Sequence, residues 1–293
     1  MNLSLEVWVQ AVSNALALGL LYILMASGLA LIFSIMNILQ FAHGEIFMMG
    51  AYAAYYITKI FGLNIFISII PSMLMTGLFG LFLERFVFRP VRGKLLNSMV
   101  ISTGLSLILS GVAVVGFGLY ERSLPRIAIG SFNIGDVAIP KDRCIAVIFS
   151  FISFLFLFYF LKRTKYGQAI VASAQDHEAA LLRGINPNLM SSIAMTLGCS
   201  LAAIGGVLAG SIFMVDPFMG GTAITKGLII IVIGGKGSLL GTVIGGLFLG
   251  MIDGVFSVVF NPTISALAPL ILVIMVLLFK PQGLFGHALE RLN

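Results

Sequence analysis

The sequence predicts an all-α fold, a transmembrane bundle of about eight to ten helices of which some are broken. Three observations favour it. Of 293 residues, 59% are hydrophobic and only 10% are charged, whereas soluble domains carry about 25% charged residues. The few charges are clustered, so long stretches of the chain contain none. The segments between these stretches are short and mostly basic. With so little polar material a soluble fold is excluded, because the chain could not cover a surface exposed to water.

The uncharged stretches have the length that a bilayer crossing requires. A membrane helix needs roughly 20 apolar residues to cross about 30 Å of hydrocarbon. The first stretch is longer than one crossing needs, so it is expected to form one or two helices. The predicted spans are 7–35, 41–59, 63–83, 95–118, 144–161, 189–214 and 264–279, with a broken pair at 222–235 and 238–258. Residues 1–293 are thus predicted to form a single transmembrane domain.

The charges in the loops predict the orientation of the chain, because Lys and Arg accumulate in cytoplasmic loops. The 84–94 and 162–183 segments are basic and are placed in the cytoplasm. The charges of the 121–143 loop nearly balance, so this loop is placed outside. Lys280 and Arg291 favour a cytoplasmic C-terminal end. The side on which the first helix begins depends on whether the first stretch is one helix or two.

The first polar interruption is Phe41-Ala42-His43-Gly44-Glu45. Ionisable side chains at membrane depth are rare, and they usually mark a pathway or a paired contact. One interpretation is a helix break in which His43 and Glu45 line a pathway or hold two helices together. The other is a short interfacial loop with both side chains in headgroup water.

The second feature lies in the cytoplasmic segment 162–187, where residues 176–184 predict a short helix with both ends specified. Asp176 can cap the N-terminus, and Glu178 in the first turn suits the helix dipole. Arg183 lies in the last turn, and Gly184 can adopt the left-handed closing conformation. So short a helix is unstable alone, so it docks either on its own protein or on a cytoplasmic partner.

The third feature is the glycine-rich run from Gly220 to Gly254. Gly237, Gly241 and Gly245 recur every four residues, a spacing that lets a neighbouring helix approach closely. Gly234-Gly235-Lys236-Gly237 is predicted to break the helix, and such breaks inside a membrane occur only against protein or a water-filled cavity. With Lys226 beside it, this region is predicted to belong to a translocation pathway, and Lys226 or His43 could meet a carboxylate there.

These motifs together resemble the branched-chain amino acid permease family of ABC importers, the LivH-type subunit. The matching stretches cover most of the chain. They are GLALIFSIMNILQFAHGEIFMMGAY, ERFVFRPVRG, YGQAIVASAQDHEAALLRGIN, KGLIIIVIGGKGSLLGTVIGGLFLG and KPQGLFG. Glu178-Ala179-Ala180, followed after three residues by Gly184, also looks like the EAA loop of ABC permeases. The Ile-x-Leu-Pro expected after that glycine is absent.

The resemblance implies a permease subunit of the bacterial or archaeal cytoplasmic (inner) membrane that imports branched-chain or related amino acids. It implies pairing with a second, LivM-type permease subunit, two cytoplasmic ATPase subunits that use ATP and Mg²⁺, and an extracytoplasmic substrate-binding protein. The chain itself is expected to bind no cofactor or metal and to have no catalytic residue. Asp176, Glu178, Ala179, Ala180, Arg183 and Gly184 are then the expected ATPase-coupling residues.

Three alternatives remain open at this point. A urea or amide permease of the same fold would have similar pathway residues. A self-sufficient secondary transporter or channel would need no ATPase, and the predicted docking helix disfavours it. An intramembrane enzyme would need convergent catalytic groups, whereas the three histidines lie in unrelated segments.

Overall fold

The computed structural model describes residues 5–134, 137–235, 237–260, 262–280 and 283–284. In this part of the chain a two-stranded antiparallel hairpin separates the fourth and fifth of eleven α-helices. The helices are α1 (Leu5–Met36), α2 (His43–Phe61), α3 (Ile65–Leu83), α4 (Leu95–Phe117), α5 (Lys141–Arg163), α6 (Lys165–Gln175), α7 (His177–Leu182), α8 (Pro187–Ile212), α9 (Met219–Gly234), α10 (Leu239–Val259) and α11 (Pro262–Phe279); the strands are β1 (Ser131–Ile134) and β2 (Val137–Pro140).

The first apolar stretch is one continuous helix of 32 residues, α1, and not two pieces. Its apolar side chains lie all around the axis, which is typical of a helix surrounded by other apolar elements. In its most apolar window 78% of the residues are buried inside the chain. It packs against α10, α8, α5 and α9. The most hydrophobic stretch of the sequence therefore forms the centre of the bundle.

Six helices in the described residues are long and apolar enough to cross a membrane, namely α1, α3, α4, α5, α8 and α10. α9 and α11 are shorter apolar helices. α2, with 19 residues, packs against α8, α3 and α9. These nine helices fall within the predicted range, while α6 and α7 belong to the 162–187 segment, which is predicted to be cytoplasmic. The chain is a multi-pass membrane protein.

Contacts at the ends of the helices show on which side α1 begins. The Gln10 side chain donates a hydrogen bond of 3.5 Å to the carbonyl of Ala138 in the hairpin. The hairpin belongs to the loop placed outside by its balanced charges. In the same loop Arg122 exchanges backbone hydrogen bonds with Val215, which follows α8. α1 therefore begins on the same side as the hairpin, the side that the loop charges predict to be external.

The hairpin departs from the predicted all-α fold. β1 and β2 pair antiparallel, with Ser131 opposite Pro140. Polar and apolar residues alternate along Ser131-Phe132-Asn133-Ile134, which is the period of a strand. The loop had been interpreted only through its charges, and this short alternation was missed.

The outer faces of α4 and α5 are apolar and exposed. Only 11% of the most apolar window of α4 and 22% of that of α5 is buried inside the chain. Leu107, Val115 and Phe156 are among the large apolar residues that point outward. In a bilayer such faces contact lipid or another membrane subunit.

Glycines hold α10 directly against the central helix. A Cβ atom at Gly250 would collide with the backbone of Gly19, and one at Gly254 would collide with the backbone of Ala15. Backbone atoms cannot swing aside as a flexible side chain can. The Gly246, Gly250 and Gly254 repeat is therefore the face that α10 presents to α1.

Replacement of Gly250 by alanine is expected to destabilise the bundle by about 1–3 kcal/mol, because the new methyl group overpacks a backbone contact. Thermal unfolding of the purified chain in detergent measures the effect. Gly111→Ala on α4 is the matched control, since a Cβ there meets no atom within 4 Å, and it should be neutral or slightly stabilising. Equal unfolding temperatures for the two variants would contradict the packing assignment.

Candidate functional site

The break between α1 and α2 is produced by Asn37, which has a positive φ of 50°. Asparagine tolerates this left-handed conformation better than most residues, and it stops α1 at Met36. Residues 37–42 are not helical, and α2 begins at His43. The predicted helix break at the FAHGE sequence is present, with His43 and Glu45 in the first turn of the second helix.

Glu45 lies near the middle of the bundle, as its contact with α4 shows. The Ser106 hydroxyl donates a hydrogen bond of 3.1 Å to Oε1 of Glu45. Ser106 is the middle residue of α4, about 16 Å from either end of that helix at about 1.5 Å per residue. His43 and Glu45 are 0% and 2% exposed. The interpretation that places them in headgroup water is therefore wrong.

The second carboxylate oxygen of Glu45 faces the beginning of α9. A Cβ atom at Gly220, in the first turn of α9, would collide with Oε2 of Glu45, and one at Gly44 would collide with the Gly220 carbonyl. Oε2 itself has no hydrogen-bond partner among the described residues. The first turn of a helix carries unpaired N–H groups and a partial positive charge. A carboxylate with a free oxygen is thus held where two helices begin inside the bundle.

Hydroxyl side chains line the exposed surfaces beside Glu45. Thr222 and Thr225 on α9 and Thr103 on α4 are exposed. The Thr225 hydroxyl donates to the carbonyl of Gly221 at 2.8 Å, and the Thr103 hydroxyl donates to that of Met99 at 2.9 Å. The hydroxyls of Thr225 and Thr103 are thereby satisfied within their own helices. We refer to these exposed hydroxyls, on the two helices that contact Glu45, as the polar strip.

Lys226 is part of a buried ion pair and not a free cation. Its ammonium donates to both carboxylate oxygens of Asp253, at 2.8 and 2.7 Å, and the Tyr22 hydroxyl donates to Oδ2 at 2.7 Å. The three side chains join α9, α10 and α1. The expectation that Lys226 meets a substrate carboxylate is not supported, because the Lys226 ammonium is already paired with the carboxylate of Asp253.

The predicted break in the glycine-rich run lies between α9 and α10. Gly235 and Gly237 have φ angles of 93° and 76°, which glycine adopts without strain. The backbones of Gly234 and Gly241 are in direct contact, and Gly245 lies over Ile230 of α9. Gly237 therefore belongs to the turn, and its predicted place on the helical glycine face is wrong, because α10 begins only at Leu239. Lys236 lies outside the described residues.

The cytoplasmic helix predicted at 176–184 is α7. Asp176 caps it by accepting a 2.9 Å hydrogen bond from the backbone N–H of Ala179. Arg183 is the C-terminal cap and Gly184 has a φ of 78°. Only Ala180 is buried in this helix, while Leu182 is 90% exposed. α7 contacts α6 and α8 and leaves an apolar side chain without cover.

An ion-pair cluster around Glu84 is a second feature, which was not predicted from the sequence. Glu84 is completely buried at the end of α3, where it forms ion pairs of 2.7 Å with Arg89 and 2.6 Å with Arg92. It also accepts a hydrogen bond of 2.7 Å from Ser192, and Arg92 donates one of 3.0 Å to Asn188. The 84–94 segment had been interpreted only as a basic loop. Glu84, an acidic residue just before these arginines, was the signal in the sequence from which the cluster could have been predicted.

The predicted site residues therefore fall into separate groups. Glu45 lies where α2, α4 and α9 meet, and the completely buried His43 lies against Met25 of α1. Lys226 lies on the other side of α9, toward α10 and α1. Gly234, Gly235, Gly237, Gly241 and Gly245 form the α9–α10 turn and its packing. The residues of α7 lie apart from all of these, next to α8.

Comparison with known proteins agrees with this architecture. The family described as branched-chain amino acid transport system / permease component matches residues 11–279. The permease protein BraD of a high-affinity branched-chain amino acid transport system in Pseudomonas aeruginosa is 30% identical, over 96% of both chains. LivH of Escherichia coli strain K12, from a system of the same description, is 29% identical over the same shares.

A more distant relative and a solved structure extend the comparison. A probable branched-chain amino acid permease, LivH of Methanocaldococcus jannaschii, is 26% identical over 93% of this chain and 91% of its own. A chain of PsaBC from Streptococcus pneumoniae, solved in complex with Fab, aligns over 92% of this chain and 91% of its own with a TM-score of 0.51. At 16% identity that likeness shows the fold alone. With the family match over residues 11–279, the chain belongs to the branched-chain amino acid transport permease family.

Proposed function

We propose that this chain is the membrane-spanning permease subunit of an ATP-driven importer of branched-chain amino acids in the cytoplasmic (inner) membrane. The observation that carries the proposal is the correspondence with BraD and LivH over 96% of both chains. The long apolar helices and the polar breaks between them fall within that correspondence. A urea or amide permease is the less favoured alternative, because these relatives are branched-chain amino acid permeases.

The proposal assigns ATP hydrolysis to separate subunits. Two cytoplasmic ATPase subunits bind ATP and Mg²⁺, a second LivM-type subunit completes the membrane part, and an extracytoplasmic binding protein delivers the substrate. The exposed helix α7 is the proposed contact with an ATPase subunit. Two observations support this assignment: Leu182 is exposed, and the cap formed by Asp176 helps to keep so short a helix folded.

Movement of α7 has a structural route into the bundle. α7 is followed by α8, which starts at Pro187 after a cap from Asn186. Arg92 and Glu84 bind the first turns of α8 and the end of α3 together. α8 and α3 would therefore respond jointly to a push on α7.

The route continues to the centre of the membrane. α8 meets α2 through backbone contacts, since a Cβ atom at Gly206 would collide with the carbonyl of Phe47 and one at Gly50 would collide with Ala203. α2 carries Glu45 in its first turn. We place the translocation pathway along the polar strip beside Glu45, between α4 and the beginning of α9.

The assignment of α7 predicts that Leu182→Arg and Gly184→Pro abolish association with the ATPase subunits while membrane insertion stays normal. The first adds charge to an exposed apolar contact, and the second places proline at a φ of 78° that its ring forbids. Glu178→Lys is expected to act in the same way. Co-purification of the ATPase with the tagged permease is the measurement.

Leu119→Arg is the matched control, because Leu119 is also an exposed leucine, at 65%, but lies in the external loop. It should leave ATPase association intact. Normal assembly and uptake in the α7 variants would contradict the assignment of α7 as the contact with the ATPase. Substrate uptake into liposomes by the purified chain alone would instead establish a self-sufficient transporter.

The assignment of Glu45 predicts that Glu45→Gln lowers ATP-driven uptake by about tenfold or more, since a hydrogen bond to a charged group contributes about 1.5–3 kcal/mol. Glutamine keeps the size of the side chain and its contact with Ser106 but removes the charge. Initial uptake rates in proteoliposomes containing the complete transporter measure the effect, and thermal unfolding confirms that the fold is intact.

Glu121→Gln, which removes a carboxylate from the external loop, is the control and should transport normally. Wild-type uptake by the Glu45→Gln variant would show that the charge is not needed. Glu45 would then be a packing residue between α2 and α4.

A further inference from the structure

A cavity of about 180 Å³ lies between the external ends of four helices, away from Glu45. Arg143, in the first turn of α5, and Ser257, in the last turn of α10, line the cavity, so it lies at the level of these helix ends. Ile212, the last residue of α8, also lines it, and α1 supplies the remaining wall. The cavity therefore lies at the external surface of the bilayer that the chain spans, on the side where α1 begins beside the hairpin.

Two polar groups in this cavity have unused binding capacity. Within the described part of the chain, the guanidinium of Arg143 forms neither an ion pair nor a hydrogen bond. The side-chain oxygen of Asn14 is buried and has no hydrogen-bond partner there. A buried acceptor without a donor costs free energy, and such groups in native proteins usually serve a bound molecule or water. One wall thus offers a cation and another offers an acceptor.

The remaining wall is aliphatic. Leu18 and Leu21 of α1 and Ile212 of α8 line the cavity together with the two polar groups. Pockets for drug-sized ligands measure about 300–1,000 Å³, so this cavity suits a smaller molecule.

A small aliphatic amino acid carries a group that matches each of the three walls. Its carboxylate matches the planar guanidinium of Arg143, which binds carboxylates with two parallel hydrogen bonds. Its ammonium is a donor for the free oxygen of Asn14. Its branched side chain suits the surface of Leu18, Leu21 and Ile212. An anion without the other two groups would leave Asn14 unpaired and the aliphatic wall uncovered.

We propose that this cavity is an external binding subsite for a zwitterionic aliphatic amino acid, held by Arg143, Asn14 and the aliphatic wall. The subsite rests on the proposed function in amino acid import, and it is separate from the pathway beside Glu45. It would receive the substrate on the outer face before the substrate enters the membrane interior.

The test measures binding of radiolabelled leucine to the complete transporter in nanodiscs of phosphatidylcholine, without the binding protein. Arg143→Gln is expected to weaken leucine binding by about tenfold or more, because the bidentate carboxylate contact is lost, and Arg143→Lys should be intermediate. Asn14→Leu should weaken binding of leucine but not competition by 4-methylpentanoate, which lacks the ammonium. Leucinamide, which lacks the carboxylate, should compete poorly against the wild type.

Lys141→Gln is the matched control, because Lys141 lies on the same turn of α5 but its ammonium is over the ring of Phe132, outside the cavity. It should bind leucine normally. Unchanged leucine binding by Arg143→Gln, or the absence of leucine binding by an active wild type, overturns the subsite.

Two further measurements separate the possible sources of failure. ATP-driven leucine uptake with the binding protein present, run in parallel, tests the proposed function, since a wild type that imports no leucine contradicts that function and not only the subsite. Native mass spectrometry in phosphatidylglycerol nanodiscs tests a lipid headgroup as the occupant. Retention of that lipid by the wild type and its loss in Arg143→Gln, with leucine binding unchanged, would assign the cavity to lipid and overturn the proposal.

Discussion

A charge inside a membrane bundle has only the protein to compensate it, because hydrocarbon supplies neither hydrogen bonds nor screening. Lys226 and Asp253 satisfy each other, and Tyr22 adds a third hydrogen bond. Removal of one partner of a buried pair typically costs about 3–5 kcal/mol. This contact ties α9 and α10 to the central α1.

The glycines make that central position possible. Helices in a membrane gain little from hydrophobic contact with each other, since lipid is equally apolar, so close approach of their backbones matters more. Gly250 brings α10 onto α1, and the Gly234–Gly241 contact closes α10 against α9. α1, α9 and α10 are therefore joined by both packing and charge.

The remaining contacts form a continuous path between α7 and the middle of the bundle. α7 leads directly into α8, and the Glu84 cluster joins α8 to the end of α3. α8 packs through Gly206 on α2, whose first turn carries Glu45. The free oxygen of Glu45 faces the beginning of α9. A displacement of α7 thus has a physical route to the carboxylate through packed elements alone.

The sequence by itself determined the class of the protein and the places where its helices are interrupted. Hydropathy and charge act locally, so they located the spans, the break before His43 and the capped helix at Asp176. Asp176 and Gly184 act on their own helix ends, which explains why that prediction could be made in residue-level detail.

Only the tertiary structure decided which groups meet, because contacts between distant segments leave no periodic signal in one sequence. The pairing of Lys226 with Asp253 and the burial of Glu84 between two arginines depend on how helices pack. The same holds for the depth of Glu45, which is set by Ser106 on another helix. Gly237 shows the limit most clearly, since its spacing fits a helical face while its backbone belongs to a turn.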